Sequence, residues 1–134
     1  MKLPLIINEY LQSLLRRFDN IYAIWLIGSR VNDGARPDSD WDFLIFADEQ
    51  VYAQLKEHGP KQPKDVRIMV VIDKDRFISP WERKSDGCYE KGSLSGWRWT
   101  SISEDKAKYK GCKEQPDGST RTRWENAIRL FKQE

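Results

Sequence analysis

Apolar residues recur at helical spacing directly after Pro4: Ile7, Tyr10, Leu11, Leu14, Leu15 and Phe18 fall on one side of a helix that Asp19-Asn20 ends. The pattern then changes. Ile21 to Ile27 is an almost unbroken apolar run of strand length, and Asn32, Asp33, Gly34 and Pro37 mark the loop that follows. Residues 41 to 47 give a second strand. Asp48 is placed to cap a short helix carrying Val51, Tyr52 and Leu55, which Gly59-Pro60 stops. Val66 to Ile72 is apolar at nearly every position, which predicts a third strand covered on both faces. This α-β-β-α-β order predicts an α/β (α+β) fold, a small mixed β-sheet with helices packed on one side.

The second half follows a different pattern. From Pro80-Trp81 through Pro116-Asp117-Gly118 the chain is polar, rich in glycine and without helical periodicity. Its best strand candidate is Trp97-Arg98-Trp99-Thr100-Ser101-Ile102, suggesting an added hairpin. Trp97 and Trp99 share a strand face, where such a pair either stacks on a base or covers the core or a sheet edge. Lys106, Lys108, Lys110 and Lys113 either meet phosphates or decorate a solvated loop. Trp124, Ala127, Ile128 and Phe131 then predict a terminal helix with an apolar stripe. We read residues 1–134 as one domain, with a core over 5–78 and an extension over 79–134.

Composition narrows the classes. At 134 residues the chain has room for a single core. No apolar stretch approaches the ~20 residues a membrane span needs, and no secretory leader is visible, so a cytoplasmic protein with no membrane partner is expected. Cys88 and Cys112 are too few and too far apart for a four-ligand zinc site; free thiols and a disulfide both stay open. The net charge of +2 does not by itself advertise a nucleic-acid binder. Residues 81–134 hold 12 Lys/Arg against 9 Asp/Glu, so the positive surplus lies in the second half.

The candidate chemistry sits at the ends of the first two strands. The run Ile24-Trp25-Leu26-Ile27 ends in Gly28-Ser29-Arg30, and Asp40-Trp41-Asp42 opens the second strand. Side chains at i and i+2 of a strand project from one face, so Asp40 and Asp42 point together, away from Trp41 and Phe43. Two such carboxylates demand a compensating cation, and Mg²⁺, a hard ion that takes oxygen ligands, is the natural one. Two ions about 3.5–4 Å apart can stabilise both the attacking and the leaving oxygen of an in-line displacement. Gly28 lets the backbone approach a ligand closely, and successive turn amides with the Ser29 hydroxyl form a cradle for anions. Arg30 adds charge beside it. Gly-Ser alone is a common turn and Asp-x-Asp alone a common solvated edge; their order, each joined to an apolar run, is what points to phosphoryl transfer.

On these residues the chain resembles the DNA polymerase beta-like nucleotidyltransferase superfamily, and within it the minimal nucleotidyltransferases. A hydrophobic strand, Gly28-Ser29, a loop over residues 30 to 39 and Asp40-x-Asp42 follow the family pattern, and the resemblance spans roughly residues 5 to 78. It implies a palm-like fold and a Mg²⁺-dependent enzyme with two ions, for which Mn²⁺ can substitute. Such an enzyme moves a nucleoside monophosphate from a nucleoside triphosphate to an acceptor hydroxyl. It implies that Gly28, Ser29 and Arg30 bind the nucleotide and that Asp40 and Asp42 bind metal. It leaves the acceptor open among RNA, protein and a small molecule, and some small members work beside a separate helical partner chain.

The family's third carboxylate has its candidate in Asp65, within Lys64-Asp65-Val66-Arg67 before the third apolar run. A one-step shift in strand pairing puts Arg67 in that place instead. The site is then degenerate, and a nucleotide-binding or regulatory, antitoxin-like protein becomes the alternative.

Overall fold

The computed structural model describes residues 2–32, 34–81, 91–114, 117 and 120–133. Helix α1 (Leu5–Arg17) buries Ile7, Tyr10, Leu11 and Leu14, and Arg16 and Arg17 lie in its last turn, where cations oppose the helix dipole favourably. Strand β1 (Ile21–Ile27) pairs antiparallel with β2 (Trp41–Ala47), and β2 pairs parallel with β3 (Val66–Ile72). A parallel pair needs a crossover, which α2 (Glu49–His58) supplies. It begins after Asp48 and ends at Gly59, whose φ of +71° breaks the helix. These elements match the sequence pattern nearly residue for residue.

The sheet is larger than the pattern predicts. Strands β4 (Arg76–Ile78), β5 (Lys91–Ser93), β6 (Thr100–Ser101), β7 (Lys106–Glu114) and β8 (Thr120–Lys132) extend it to eight strands in the order β5-β4-β3-β2-β1-β8-β7-β6. Both helices lie on one side, over a core of Ile24, Leu26, Phe43, Ile45, Ile68 and Val70 among others. The other side has its own core. There Trp25, Leu44, Met69 and Val71 meet Phe77, Leu94, Trp97 and Tyr109. Every residue of β3 is buried, Arg67 among them, as its nearly continuous apolar run predicts. Among the described residues no helix is long and apolar enough to cross a membrane.

Two expectations for the second half are corrected. The predicted terminal helix is strand β8, and a bulge explains the misleading spacing. In the β1–β8 pairing Leu26 faces Ile128 while Ile24 faces Phe131, with a register shift between Ile24 and Trp25. The extra residue puts Ile128 and Phe131, three apart, against the same helix-side core. The strand candidate Trp97 to Ile102 shrinks to Thr100–Ser101, because Arg98 takes a φ of +56° in a turn ahead of it. Trp97 and Trp99 belong to the second core: Trp97 stacks on Tyr109 with ring centroids 5.1 Å apart, and Trp99 meets Trp25 edge-on at 5.1 Å. The added hairpin is real, and it is made of β7 and β8.

Candidate functional site

Strand β1 arrives extended at Ile27, and Gly28 turns the chain at φ +79° into a single 3-10 turn over Gly28–Arg30. A Cβ at position 28 would sit 2.5 Å from Asp42 Oδ2. Glycine is therefore required both for the left-handed backbone and for the space the carboxylate fills. Asp42 faces Ile27 in the β1–β2 register, so the two halves of the sequence pattern meet in space.

Asp40 and Asp42 are brought together around one cation. Arg67 faces Asp42 in the parallel β2–β3 register. Its Nη2 donates to Asp40 Oδ2 at 3.3 Å, and its Nε lies 3.8 Å from Asp42 Oδ1. Asp42 and Arg67 are both buried. The carboxylate pair thus has the cation that its charge demands, supplied by the protein itself.

Asp65 stands apart from this cluster. It is exposed, directly ahead of β3, with a φ of +67°, and its carbonyl accepts a hydrogen bond from Trp41 N at 2.8 Å. Among the described residues, no three acidic, histidine or cysteine side chains converge to hold a metal ion.

Ser29 is half-buried within the turn. Arg30 is directed elsewhere: its Nη2 donates to the carbonyls of Pro37 at 3.1 Å and Ser39 at 2.9 Å, and its guanidinium lies 4.6 Å from the Trp41 ring centroid. That arrangement closes the loop carrying the chain from the turn to the acids.

Sequence reasoning missed the support that the extension gives this site. The Gly28 amide donates to Tyr109 Oη at 3.0 Å, and the Tyr109 hydroxyl donates to Glu125 Oε2 at 3.1 Å. Arg123 Nε then donates to Glu125 Oε1 at 3.0 Å. Tyr109 is completely buried and Glu125 nearly so. Asn32 adds a second link, donating to the Gly28 carbonyl at 2.8 Å and accepting from Asn126 N at 2.9 Å. The alternation of Ala107 and Tyr109 between the lysines was the available signal for an inward strand face. Cys88 and the side chains of Cys112 and Lys113 lie outside the described residues.

Comparison with protein families matches the chain to the family described as polymerase beta, nucleotidyltransferase, over residues 9–80. Neither the curated proteins nor the solved structures give a match. The matched span contains the Gly-Ser turn, Asp40, Asp42 and the Arg67 that joins them, and it covers more than half of the sequence. The chain therefore belongs to the polymerase beta nucleotidyltransferase family.

Proposed function

We propose that this domain moves a nucleoside monophosphate from a nucleoside triphosphate to an acceptor hydroxyl, releasing pyrophosphate. The observation that supports it is the contact of Asp42 with Gly28, which makes the anion-binding turn and the metal-type carboxylates one site. Asp40 and Asp42 fit a divalent ion, since both offer hard oxygen donors and their present counter-charge is an exchangeable side chain. When bound, Mg²⁺ or Mn²⁺ supplies positive charge to the phosphates, and a second ion would draw on Asp65 at the start of β3.

The chain's own part is positioning. With the Gly28 amide given to Tyr109, the amide and hydroxyl of Ser29 are the donors for the triphosphate. Arg30 holds the loop that sets the acids against the turn. In the transfer the acceptor oxygen bonds to the α-phosphorus, the bond from that phosphorus to the bridging oxygen breaks, and pyrophosphate carries the electron pair away. The hydroxyl proton passes to a carboxylate or to water, a role in which Asp65 is the candidate. Little covalent chemistry is asked of the protein.

A second function has a specific observation in its favour. Arg67 occupies the place across from Asp42, and Asp65 lies outside the cluster, which suits a domain that binds a nucleotide without turnover. Two measurements separate the two. Mg²⁺ with ATP should raise the melting temperature of the parent, and Asp42→Asn should abolish the rise. Labelled triphosphates screened against RNA, protein and small molecules should then give pyrophosphate release that Asp65→Ala eliminates. Stabilisation without release under any acceptor favours the binding function, and no stabilisation at all defeats both.

A further inference from the structure

Lys106, Lys108 and Lys110 occupy alternate positions of β7, and Ile128, Asn126 and Trp124 of β8 lie opposite them in register. Thr100 of β6 continues the row beside Lys108. Cross-strand partners share a face, so these side chains make one patch. Trp124 is 48% exposed, unusual for so large an apolar group. Lys108 Nζ lies 5.0 Å and Lys110 Nζ 5.5 Å from its ring centroid. The described residues of this patch include no carboxylate. Glu125 faces the opposite side toward Tyr109, and the neighbouring acids Glu104 and Asp105 hold Arg129 and Lys132.

We propose that this face binds single-stranded nucleic acid. Three arguments converge on that occupant. Lysines at alternate positions of a strand recur about every 6.5–7 Å along the backbone, a spacing comparable to the nucleotide repeat of an extended single strand. A simple polyanion has no use for an exposed indole, whereas an unstacked base does. The contacts of Lys108 and Lys110 with the ring keep it dressed in charge until phosphates take the lysines and bare its face for stacking.

The test uses the full chain and labelled twelve-nucleotide oligo-U and oligo-dT, followed by fluorescence anisotropy across a salt series. Binding of either strand supports the proposal, and the stronger of the two arms identifies RNA or DNA as the source. Trp124→Ala should weaken binding about tenfold while Trp124→Phe retains most of it. The double variant Lys108→Gln, Lys110→Gln should reduce the salt slope by about 1.4, two phosphate contacts' worth for a single strand. Equal affinity in Trp124→Ala, or competition by polyglutamate or by a duplex as effective as by the single strand, overturns the proposal. Parent-like melting of each variant keeps unfolding out of the comparison. Oligonucleotide binding without any triphosphate-linked stabilisation would leave this surface standing and remove the transferase function; the converse result would remove the surface alone.

Discussion

Asp42 Oδ2 occupies the space beside Gly28 that a side chain at position 28 would need, so the Gly28 turn and the carboxylate strand constrain each other directly. Gly28→Ala has to meet both the φ of +79° and that carboxylate. We expect a loss of about 2–4 kcal/mol in chemical denaturation, the sum of left-handed strain and local overpacking. Stabilisation by Mg²⁺ with ATP should vanish in the same variant. A variant as stable as the parent would show that the turn can relax away from Asp42.

Arg67→Met leaves Asp40 and Asp42 facing each other across a partly buried site. Removing one partner of a buried ionic cluster is costly, and the partial exposure of Asp40 moderates it, so a destabilisation of about 2–4 kcal/mol is expected. Metal should then substitute for the missing guanidinium. Millimolar Mn²⁺ alone should raise the melting temperature of Arg67→Met more than that of the parent, where it must displace Arg67. An equal response would mean that metal and Arg67 do not share the acids.

Tyr109→Phe keeps the stacking on Trp97 and removes only a hydroxyl, yet that hydroxyl serves two buried groups. The Gly28 amide loses its acceptor and Glu125 loses a donor. A destabilisation of about 2–3 kcal/mol follows from leaving them unsatisfied. Thermal melting decides it, and a shift within error would mean that water takes the place of the hydroxyl.

Burial pushes the Tyr10 phenol above its ordinary range, and its hydroxyl donates to the Pro60 carbonyl at 2.9 Å. A raised acid is held neutral by the fold, so its contribution is complete below the unfolded value near 10 and is lost as pH rises beyond it. Urea denaturation at pH 8 and pH 11 should show that alkaline loss. Tyr10→Phe should cost about 1 kcal/mol at pH 8 and flatten the decline. Tyr22 is also raised, through its hydrogen bond to Asp48, and adds to the decline. An unchanged slope in Tyr10→Phe would place the alkaline sensitivity elsewhere.

The first half was legible because its signals are local. Gly59 after a helical stripe, the unbroken run of β3 and the acids opening β2 each depend on neighbours within a few residues. Arg67 and Asp65 could not be ranked from sequence, since both fall on one strand face and only the β2–β3 register decides which stands across from Asp42. Tyr109 and Glu125 were hidden for a similar reason. A polar residue reads as solvated until a partner distant in sequence, here Gly28, is brought beside it. Strand β8 misled through its bulge, which sets Ile128 and Phe131 on one side at a spacing usually made by a helix.

The placement of β8 beside β1 also sets an order on biogenesis. Synthesis runs from β1, which ends at Ile27, through every other strand before β8 begins at Thr120. During that interval one edge of an apolar strand has no hydrogen-bonded neighbour, and such edges recruit strands from other chains. The nascent protein is accordingly most vulnerable to aggregation just before its hairpin forms. Substitutions that slow β7–β8 pairing should lower soluble yield in cells well before they lower the melting temperature of the purified protein.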